Sequence, residues 1–170
     1  MDDHLQSALS FLKKTYHARE SEYQGQITVM LAADQLVPAL TRLRDEFAFE
    51  MLELQTAVDY WPQLSPRFHV VCQVCSLQHS VQLRVRVPLD GNSPVIPTIE
   101  GIYPNANWHE REIWDMFGIR FDGHSDLRRI LMPEDWAGHP LRKDYPLGYE
   151  EVQFSFNFDE ISLRKPKPGK

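Results

Sequence analysis

The stretch Val81-Gln82-Leu83-Arg84-Val85-Arg86-Val87 has the cleanest alternation of apolar and polar residues in this chain. Because successive side chains of a strand point to opposite faces, the stretch predicts a strand with one buried face and one face in water. The apolar run at residues 68–77 predicts another strand just before it. The link between the two is too short for a crossover, so they are predicted to form an antiparallel hairpin.

Further elements are predicted outward from this hairpin. Residues 27–31 and 52–58 alternate as strands, and residues 2–16 place apolar side chains at helical spacing. Asp34 is predicted to cap a helix between those two strands, which permits a parallel crossover. The core face of that helix is predicted to consist of Leu36, Leu40, Leu43 and Phe47.

These elements predict an α+β fold. We expect a two-layer sandwich, in which helices pack on one face of a mixed four-stranded sheet, followed by an irregular extended C-terminal segment. Residues 1–104 are predicted to be the α+β core. Residues 105–160 are predicted to add a charged helix and an extended docking segment to the same domain, and residues 161–170 a basic flexible tail.

Composition and charge exclude several classes of protein. The 170 residues carry a formal net charge of -6, and such an acidic body repels the phosphates of nucleic acids. No apolar run approaches the roughly 18 residues of a membrane span, and the start lacks the basic-then-apolar order of a secretory signal. The last ten residues carry four basic and no acidic side chains, which suits either a solvated end or a strap on an acidic neighbour.

The two cysteines, Cys72 and Cys75, form a C-x-x-C string. In a strand, residues three apart point to opposite faces, so the two thiols diverge. There is no second cysteine pair for zinc and no turn residue between them. They are predicted to be small buried residues.

A second informative stretch is Glu110-Arg111-Glu112-Ile113-Trp114-Asp115-Met116-Phe117-Gly118, which interleaves charges with large aromatic side chains. Asn107 is predicted to cap this helix with Glu110 at its N3 position, and Gly118 to end it in a left-handed conformation. Arg111 and Asp115 are four residues apart and are predicted to pair. A solvated helix face does not need this combination, so the stretch is predicted to be a docking element.

Two catalytic interpretations compete with this one. A small metal-dependent hydrolase would use His109, His124 and His139, but Ile113 stands where a His-Glu-x-x-His helix needs its second ligand. The acidic residues that could join such a site are Glu110, Asp126, Glu134 and Asp135. General acid/base chemistry would use Glu110, Glu112 or Asp115. Because arginines lie nearby in sequence, these carboxylates are predicted to form a structural network instead.

The charged helix and the residues after it also resemble a known family. Four strings are similar to the signature of the 30-kDa subunit of respiratory complex I, the C subunit of bacterial NADH-quinone oxidoreductase. They are Glu110-Arg111-Glu112, Asp115-Met116-Phe117-Gly118, His124 and Arg128-Arg129-Ile130-Leu131. Residues 132–147 resemble its next block, and residues 56–60 and 67–71 resemble upstream segments. Ser125 departs from the family, in which a proline usually follows the histidine.

The resemblance implies a non-catalytic subunit in the peripheral arm, on the cytoplasmic side of the cell membrane. The chain is expected to bind no metal or cofactor itself, since NADH, FMN, iron-sulfur clusters and quinone belong to the assembled complex. Its implied partners are the 49-kDa (D) subunit, near the quinone site, and other peripheral-arm subunits, with no homo-oligomer. An equivalent subunit of a membrane-bound hydrogenase remains the alternative in the same class.

The residues predicted for the partner interface and its supporting network fall into three groups. We expect Trp108, Trp114 and Phe117 to anchor packing, and residues 133–146 to form an extended docking strip. Charged side chains of the helix are expected to cross-link it to Arg128 and Arg129. The full predicted set is Trp108, Glu110, Arg111, Glu112, Trp114, Asp115, Phe117, His124, Arg128, Arg129, Pro133, His139, Pro140, Arg142, Lys143, Asp144 and Tyr145.

Overall fold

A computed structural model describes residues 3–146 of the chain. Three α-helices and seven strands form within these residues. In chain order they are α1 (Asp3–Tyr16), β1 (Arg19–Tyr23), β2 (Gln26–Met30), α2 (Leu36–Glu46), β3 (Met51–Asp59), β4 (Phe68–Ser76), β5 (Val81–Leu89), β6 (Val95–Pro97), α3 (Ala106–Phe117) and β7 (Arg120–Asp122). The predicted tail and the end of the predicted docking segment lie outside the described residues.

The predicted α+β fold with a mixed sheet is confirmed. The main sheet has the order β1-β2-β5-β4-β3, in which β2 and β5 are parallel and the other neighbours antiparallel. The predicted hairpin is β4 with β5, paired in register from Phe68–Leu89 to Ser76–Val81. The crossover through α2 leaves β2 and β3 running in the same direction, with β5 and β4 inserted between them.

The sheet has five strands, so the predicted count of four is corrected. Strand β1 has the sequence Arg-Glu-Ser-Glu-Tyr and is almost fully exposed, so no apolar alternation reveals it. A second, two-stranded sheet pairs β6 with β7 in parallel. Each of these strands has three residues, which is too short for a periodic pattern to appear in the sequence.

One hydrophobic core lies between the helices and one face of the sheet. Strand β5 contributes Leu83, Val85 and Val87, which are completely buried as their alternation predicts. The predicted core face of α2 is buried at Leu36, Leu40 and Leu43, whereas Phe47 is half-buried at its C-terminal end. Burying a leucine or valine side chain contributes roughly 1.5–3 kcal/mol, so this face drives the folding of the sheet layer.

Both predicted N-caps are wrong, and Gly118 is confirmed as a left-handed stop. Asp34 lies within a 3-10 turn (Ala33–Gln35) that precedes α2. Helix α3 begins after Asn105, and Asn107 lies inside it, where its amide donates to Glu100 (2.8 Å). Gly118 has a φ of 72° and donates its N–H to the Trp114 carbonyl at 2.8 Å. In this chain the glycine predicted the end of α3 correctly, whereas the wrong asparagine, Asn107 instead of Asn105, was chosen for its start.

The two cysteines are buried and unpaired, as predicted. Burial raises the pKa of both thiols, that of Cys75 to about 11 with a further contribution from Glu53. The thiols are therefore protonated at neutral pH. None of the helices within residues 3–146 has the length and apolar character needed to cross a membrane.

Candidate functional site

Helix α3 lies on the helical side of the sheet and is fixed there by a buried carboxylate. Glu110 is completely buried and accepts hydrogen bonds from the Ile99 N–H (2.8 Å), the Gln55 amide (3.4 Å) and the Thr98 hydroxyl. Burial raises the pKa of Glu110, and these hydrogen bonds only partly offset it. The predicted link from Glu110 to Arg128 and Arg129 is therefore corrected, because this carboxylate holds α3 to β3 and to residues 98–99.

The second buried carboxylate of α3, Asp115, organises the loop after β7. One of its oxygens accepts from Arg129 Nη1 at 2.5 Å. The other accepts the backbone N–H groups of Ile130 (3.1 Å), Leu131 (2.8 Å) and Met132 (2.9 Å). Burial alone would raise the pKa of Asp115, but these bonds outweigh it and hold the pKa below its usual range. One carboxylate thus fixes four consecutive residues of the loop.

Arg111 binds the same loop through its carbonyls. Its Nε donates to the Arg128 carbonyl (3.2 Å) and its Nη2 to the Arg129 carbonyl (3.1 Å), while the guanidinium lies 5.3 Å from the Trp108 ring centre. The predicted Arg111–Asp115 pair is not formed, because the loop passes between the two side chains and offers its N–H groups to one and its carbonyls to the other. Of the predicted cross-link, Asp115 does bind Arg129 and Arg111 does bind residues 128 and 129, the latter through their carbonyls.

The other predicted residues of α3 and its loop divide by exposure. Phe117 is buried, and Trp114 is half-buried between the Arg129 guanidinium (5.7 Å) and the His139 ring (6.4 Å). Trp108 is 61% exposed, so it anchors no packing within residues 3–146. The side chains of Glu112 and Arg128 also face solvent, and Arg128 pairs with Asp126 at 2.8 Å.

A buried arginine joins the predicted docking strip to the sheet. Arg67 is completely buried and donates to both carboxylate oxygens of Asp59 (3.1 and 3.0 Å), to Asp144 (2.7 Å) and to Asn92 (2.6 Å). The hydrogen bonds to Asp59, opposed by burial, raise the pKa of the Arg67 guanidinium. Asp59 also accepts the backbone N–H of Lys143 at 2.9 Å. The strip is therefore part of the domain body up to Asp144.

This arginine cluster was missed by the sequence interpretation, which placed only Asp144 and Lys143 in the predicted site. Arg67 stands between Pro66 and the buried strand residue Phe68. A charged residue at the entry of an apolar strand resembles an ordinary exposed strand end. Its partner Asp144 is 77 positions away, so no local pattern connects the two.

The start of the strip covers the C-terminal end of α3. His139 Nδ1 lies 3.0 Å from the Asp115 carbonyl, and the Leu141 N–H donates to the Met116 carbonyl at 3.0 Å. Arg142 Nε donates to the Phe117 carbonyl at 2.5 Å. The last carbonyls of a helix have no partner within the helix, and here three of them are satisfied by the strip.

The contact at Gly118 leaves no space for a side chain. A Cβ atom there would lie 2.5 Å from His139 Cδ2 and 2.8 Å from Arg142 Nη2. Burial lowers the pKa of His139, and the pKa of Arg142 is lowered by burial and by the nearby Arg67 charge. This close approach, together with the positive φ of Gly118, makes the position specific for glycine.

Of the remaining residues of the predicted site, some form hydrogen bonds with backbone groups and the others lie wholly or partly in solvent. His124 Nδ1 accepts the Asp126 N–H at 3.0 Å, and its Nε2 lies 3.2 Å from the Asn107 carbonyl. Tyr145 is half-buried and donates its hydroxyl to the Ala137 carbonyl at 3.4 Å. Pro140 is half-buried, whereas Pro133 and Lys143 are exposed.

The histidines of the metal alternative do not come together. Within residues 3–146 no group of three or more histidine, cysteine, aspartate or glutamate side chains is placed to hold a metal ion. His124 is the member with acidic neighbours, at 3.7 Å from Glu100 and 4.0 Å from Glu110, and the carboxylate of Glu110 is already held by Thr98 and Ile99. His124 instead links the loop after β7 to helix α3 through the Asn107 carbonyl.

Comparison with known proteins decides the family. A family model described as the 30 Kd subunit of respiratory-chain NADH dehydrogenase matches residues 29–151. The chain belongs to this family. The C subunit of NADH-quinone oxidoreductase from Roseiflexus sp. (strain RS-1) is 47% identical over 148 residues, which are 86% of this chain and 84% of that protein. The protein of the same name from Herpetosiphon aurantiacus is 45% identical over 150 residues, 87% of each chain.

Solved structures share the fold of this family member. A trypsin-resistant fragment of Nqo5 is 28% identical, with a TM-score of 0.66 over 73% of this chain and 99% of that chain. A chain of the membrane-bound sulfane sulfur reductase, an archaeal respiratory membrane complex, has a TM-score of 0.70 at 19% identity, covering 92% and 98% of the two chains. The resemblance noted in the sequence is confirmed, and relatives of this chain are named as subunits of an NADH-quinone oxidoreductase.

Proposed function

We propose that this chain is a non-catalytic peripheral-arm subunit of NADH-quinone oxidoreductase, the complex that couples electron transfer from NADH to quinone with ion translocation. In this proposal it binds no cofactor and docks on the 49-kDa (D) subunit near the quinone site, on the cytoplasmic side of the membrane. Its curated relatives carry the name of that complex, which supports membership in the assembly. The location of the docking surface on this chain is the more specific part of the proposal.

The observation that carries the docking surface is the position of Trp108. Its ring is 61% exposed on a helix whose other face is fixed by two buried carboxylates, Glu110 and Asp115. Leu131 in the loop and Leu141 in the strip are also exposed, and α3 holds both of these segments in place. Interfaces are enriched in tryptophan and arginine at their centres, and a rigid support lowers the entropy cost of binding. We therefore assign α3, residues 128–132 and the strip to the partner-facing surface.

Replacing Trp108 by alanine tests this surface. Truncating a central interface tryptophan costs about 2 kcal/mol or more, so we expect at least about tenfold less assembled complex in membranes with Trp108→Ala. The matched control is Leu77→Ala, because Leu77 is 63% exposed in the turn between β4 and β5, on the opposite end of β4 from the strip. Co-purification of the 49-kDa subunit is measured beside NADH-quinone activity.

Arg111→Ala tests the support beneath Trp108. The substitution leaves the carbonyls of Arg128 and Arg129 without donors and removes the guanidinium under the tryptophan ring. We expect assembly to fall while the purified chain still unfolds cooperatively. Normal assembly with both Trp108→Ala and Arg111→Ala would move the docking surface elsewhere, and a chain that never co-purifies with the complex would refute the proposed function.

A further inference from the structure

The five-stranded sheet has a second face that no helix within residues 3–146 covers. Strand alternation and register place one set of residues on it, which we call the open face. The core of the domain includes Cys72 and Val74 of β4 but not Val71 or Cys75, which point the other way. The open face consists of Thr28, Met30, Leu54, Thr56, Val58, His69, Val71, Gln73, Cys75, Gln82, Arg84 and Arg86, with Tyr60 at its edge.

The open face exposes large apolar side chains along β3. Every residue of β4 is buried, including those on the open face, where Gln73 contacts Gln82 (3.1 Å) and Arg84 (3.3 Å) of β5. Leu54 is 46% exposed and Tyr60 is 37% exposed, and Met51 is exposed at the same side of β3. These side chains form an exposed apolar strip along β3 and its end, and such grouped exposure is typical of a protein interaction site.

The charges of the open face are not balanced. Arg84 donates to the Gln73 amide oxygen (3.3 Å) and Arg86 to the Tyr60 hydroxyl, and neither forms an ion pair within residues 3–146. The Nε of Arg86 is buried and has no acceptor in the described part of the chain, and His69 Nδ1 is buried there without a hydrogen-bond partner. Glu53, an acidic residue at this side, accepts a bond from Gln82 instead (2.9 Å). A buried donor without an acceptor costs free energy, so this face lacks an acceptor that something else must supply.

We propose that the open face is a second docking surface, whose occupant is a segment of a neighbouring subunit that presents a carboxylate to Arg84 and Arg86 and apolar side chains to Leu54 and Tyr60. The inference rests on the proposed function, since it requires an assembly. A guanidinium binds a carboxylate through two parallel hydrogen bonds, and neither Arg84 nor Arg86 has such a partner within residues 3–146. A second copy of this chain does not fit, because it would bring arginines against arginines.

The two docking surfaces lie on opposite sides of one sheet. Helix α3 packs on the helical side through Glu110 and Gln55, whereas Arg84 and Arg86 project from the other side. In this proposal the domain is held between two neighbours, one on each side of the sheet.

Cysteine labelling tests whether the open face is covered in the assembled complex. The native thiols are buried and have raised pKa values, so a Leu54→Cys variant supplies the reactive thiol. We expect its alkylation to be at least about tenfold slower in the detergent-purified complex than in the isolated full chain. Ser10→Cys, on the exposed side of α1, reports the access of the reagent to the complex. Equal rates for Leu54→Cys in the two states would overturn the inference and leave the proposed function intact.

Charge reversal and cross-linking identify the occupant. Arg84→Glu with Arg86→Glu is expected to reduce the assembled complex at least about tenfold, and Arg42→Glu on the exposed side of α2 is not. A photo-reactive residue at position 54 is expected to capture a peptide of another subunit that contains Asp or Glu. Capture of a second copy of this chain, or of a peptide without a carboxylate, would overturn the inference. Absence of the chain from the complex would overturn the proposed function with it.

Discussion

The sheet layer and the segment at residues 105–146 are stabilised in different ways. The sheet layer buries aliphatic side chains such as Leu83, Val85 and Leu40 between long strands and two helices. After α3 ends, the second region has one strand of three residues, and its loop and strip are held by the side chains of Asp115, Arg111 and Arg67. Apolar burial is not directional, whereas each buried charge fixes particular backbone groups.

This difference explains how an irregular segment keeps one conformation. Charged hydrogen bonds need specific geometry, so a few of them define the path of a chain that has no periodic hydrogen bonding. They also make the segment sensitive, because the loss of one partner leaves the other buried and unpaired. Substitutions in the sheet layer should lower the stability of the whole domain, whereas those in the second region should first release the segment.

The largest effect is expected at the point where the two regions meet. Arg67→Ala leaves Asp59 without its cation and should lower the free energy of unfolding by about 3–5 kcal/mol. The exposed Arg42–Glu46 pair of α2 provides a control, and Arg42→Ala should have a far smaller effect, because exposed ion pairs contribute little to stability. Urea unfolding of the full chain measures both. A loss of similar size in the two variants would contradict the contrast.

A smaller and more local effect is expected for Asp115→Ala. It removes the acceptor of three backbone N–H groups and of Arg129, which should cost about 3 kcal/mol. Amide exchange should accelerate mainly in residues 128–146. Leu83→Ala, with a similar cost from its core cavity, should instead accelerate exchange throughout the sheet. Matching exchange profiles in the two variants would show that the regions do not differ.

Gly118→Ala should have a lesser effect, of about 2 kcal/mol, from the positive φ and the contact with His139. Gly101→Ala is a suitable control, because a Cβ there has no neighbour within 4 Å and its φ is not in the left-handed region. Limited proteolysis after residue 138 should increase in the first variant alone. Unchanged proteolysis in Gly118→Ala would mean that the strip is not fixed by this contact.

The smallest expected effects are those of pH on the free energy of unfolding. Their sign differs between the buried carboxylates. Asp59 and Asp115 have folded pKa values below the unfolded value of about 3.9, so their stabilisation is present above that pH and is lost as the pH falls through the folded value. Glu110 has a raised pKa, so its contribution is present below about pH 4.3 and is lost as the pH rises.

The Glu110→Gln variant separates the two signs. It should lose less stability than the unaltered chain as the pH rises from about 4.3 to 7, because it removes the carboxyl that ionises. Glu112→Gln, at an exposed position of the same helix, is the control and should follow the unaltered chain. Unfolding free energies at several pH values measure this. A steeper pH dependence in Glu110→Gln would contradict the assigned direction of its pKa.

The sequence allowed most of the sheet layer to be predicted, because the apolar run of β4 and the alternation of β5 are long. In β3 a bulge between Leu52 and Leu54 changes the face, so Leu54, Thr56 and Val58 lie on the open face although they alternate with Leu52 in the sequence. Strand β1 was missed since its exposed residues carry no such pattern. In the second region the links from Asp115 and Arg111 to residues 128 and 129 were predicted, whereas the partners of Glu110 were not. Arg111 and Asp115 satisfied a helical spacing rule, yet a loop further along the chain supplied better partners. Contacts such as Arg67 with Asp144 depend on the tertiary fold alone.

The separation of Arg67 from Asp144 also sets a timetable for synthesis. The 77 positions between them take roughly 4–15 s to translate at about 5–20 residues per second. During that interval Arg67 can already pair with Asp59, but its bond to Asp144 cannot yet form. The link between the strip and the sheet layer is therefore expected late in synthesis, once Asp144 has left the ribosome.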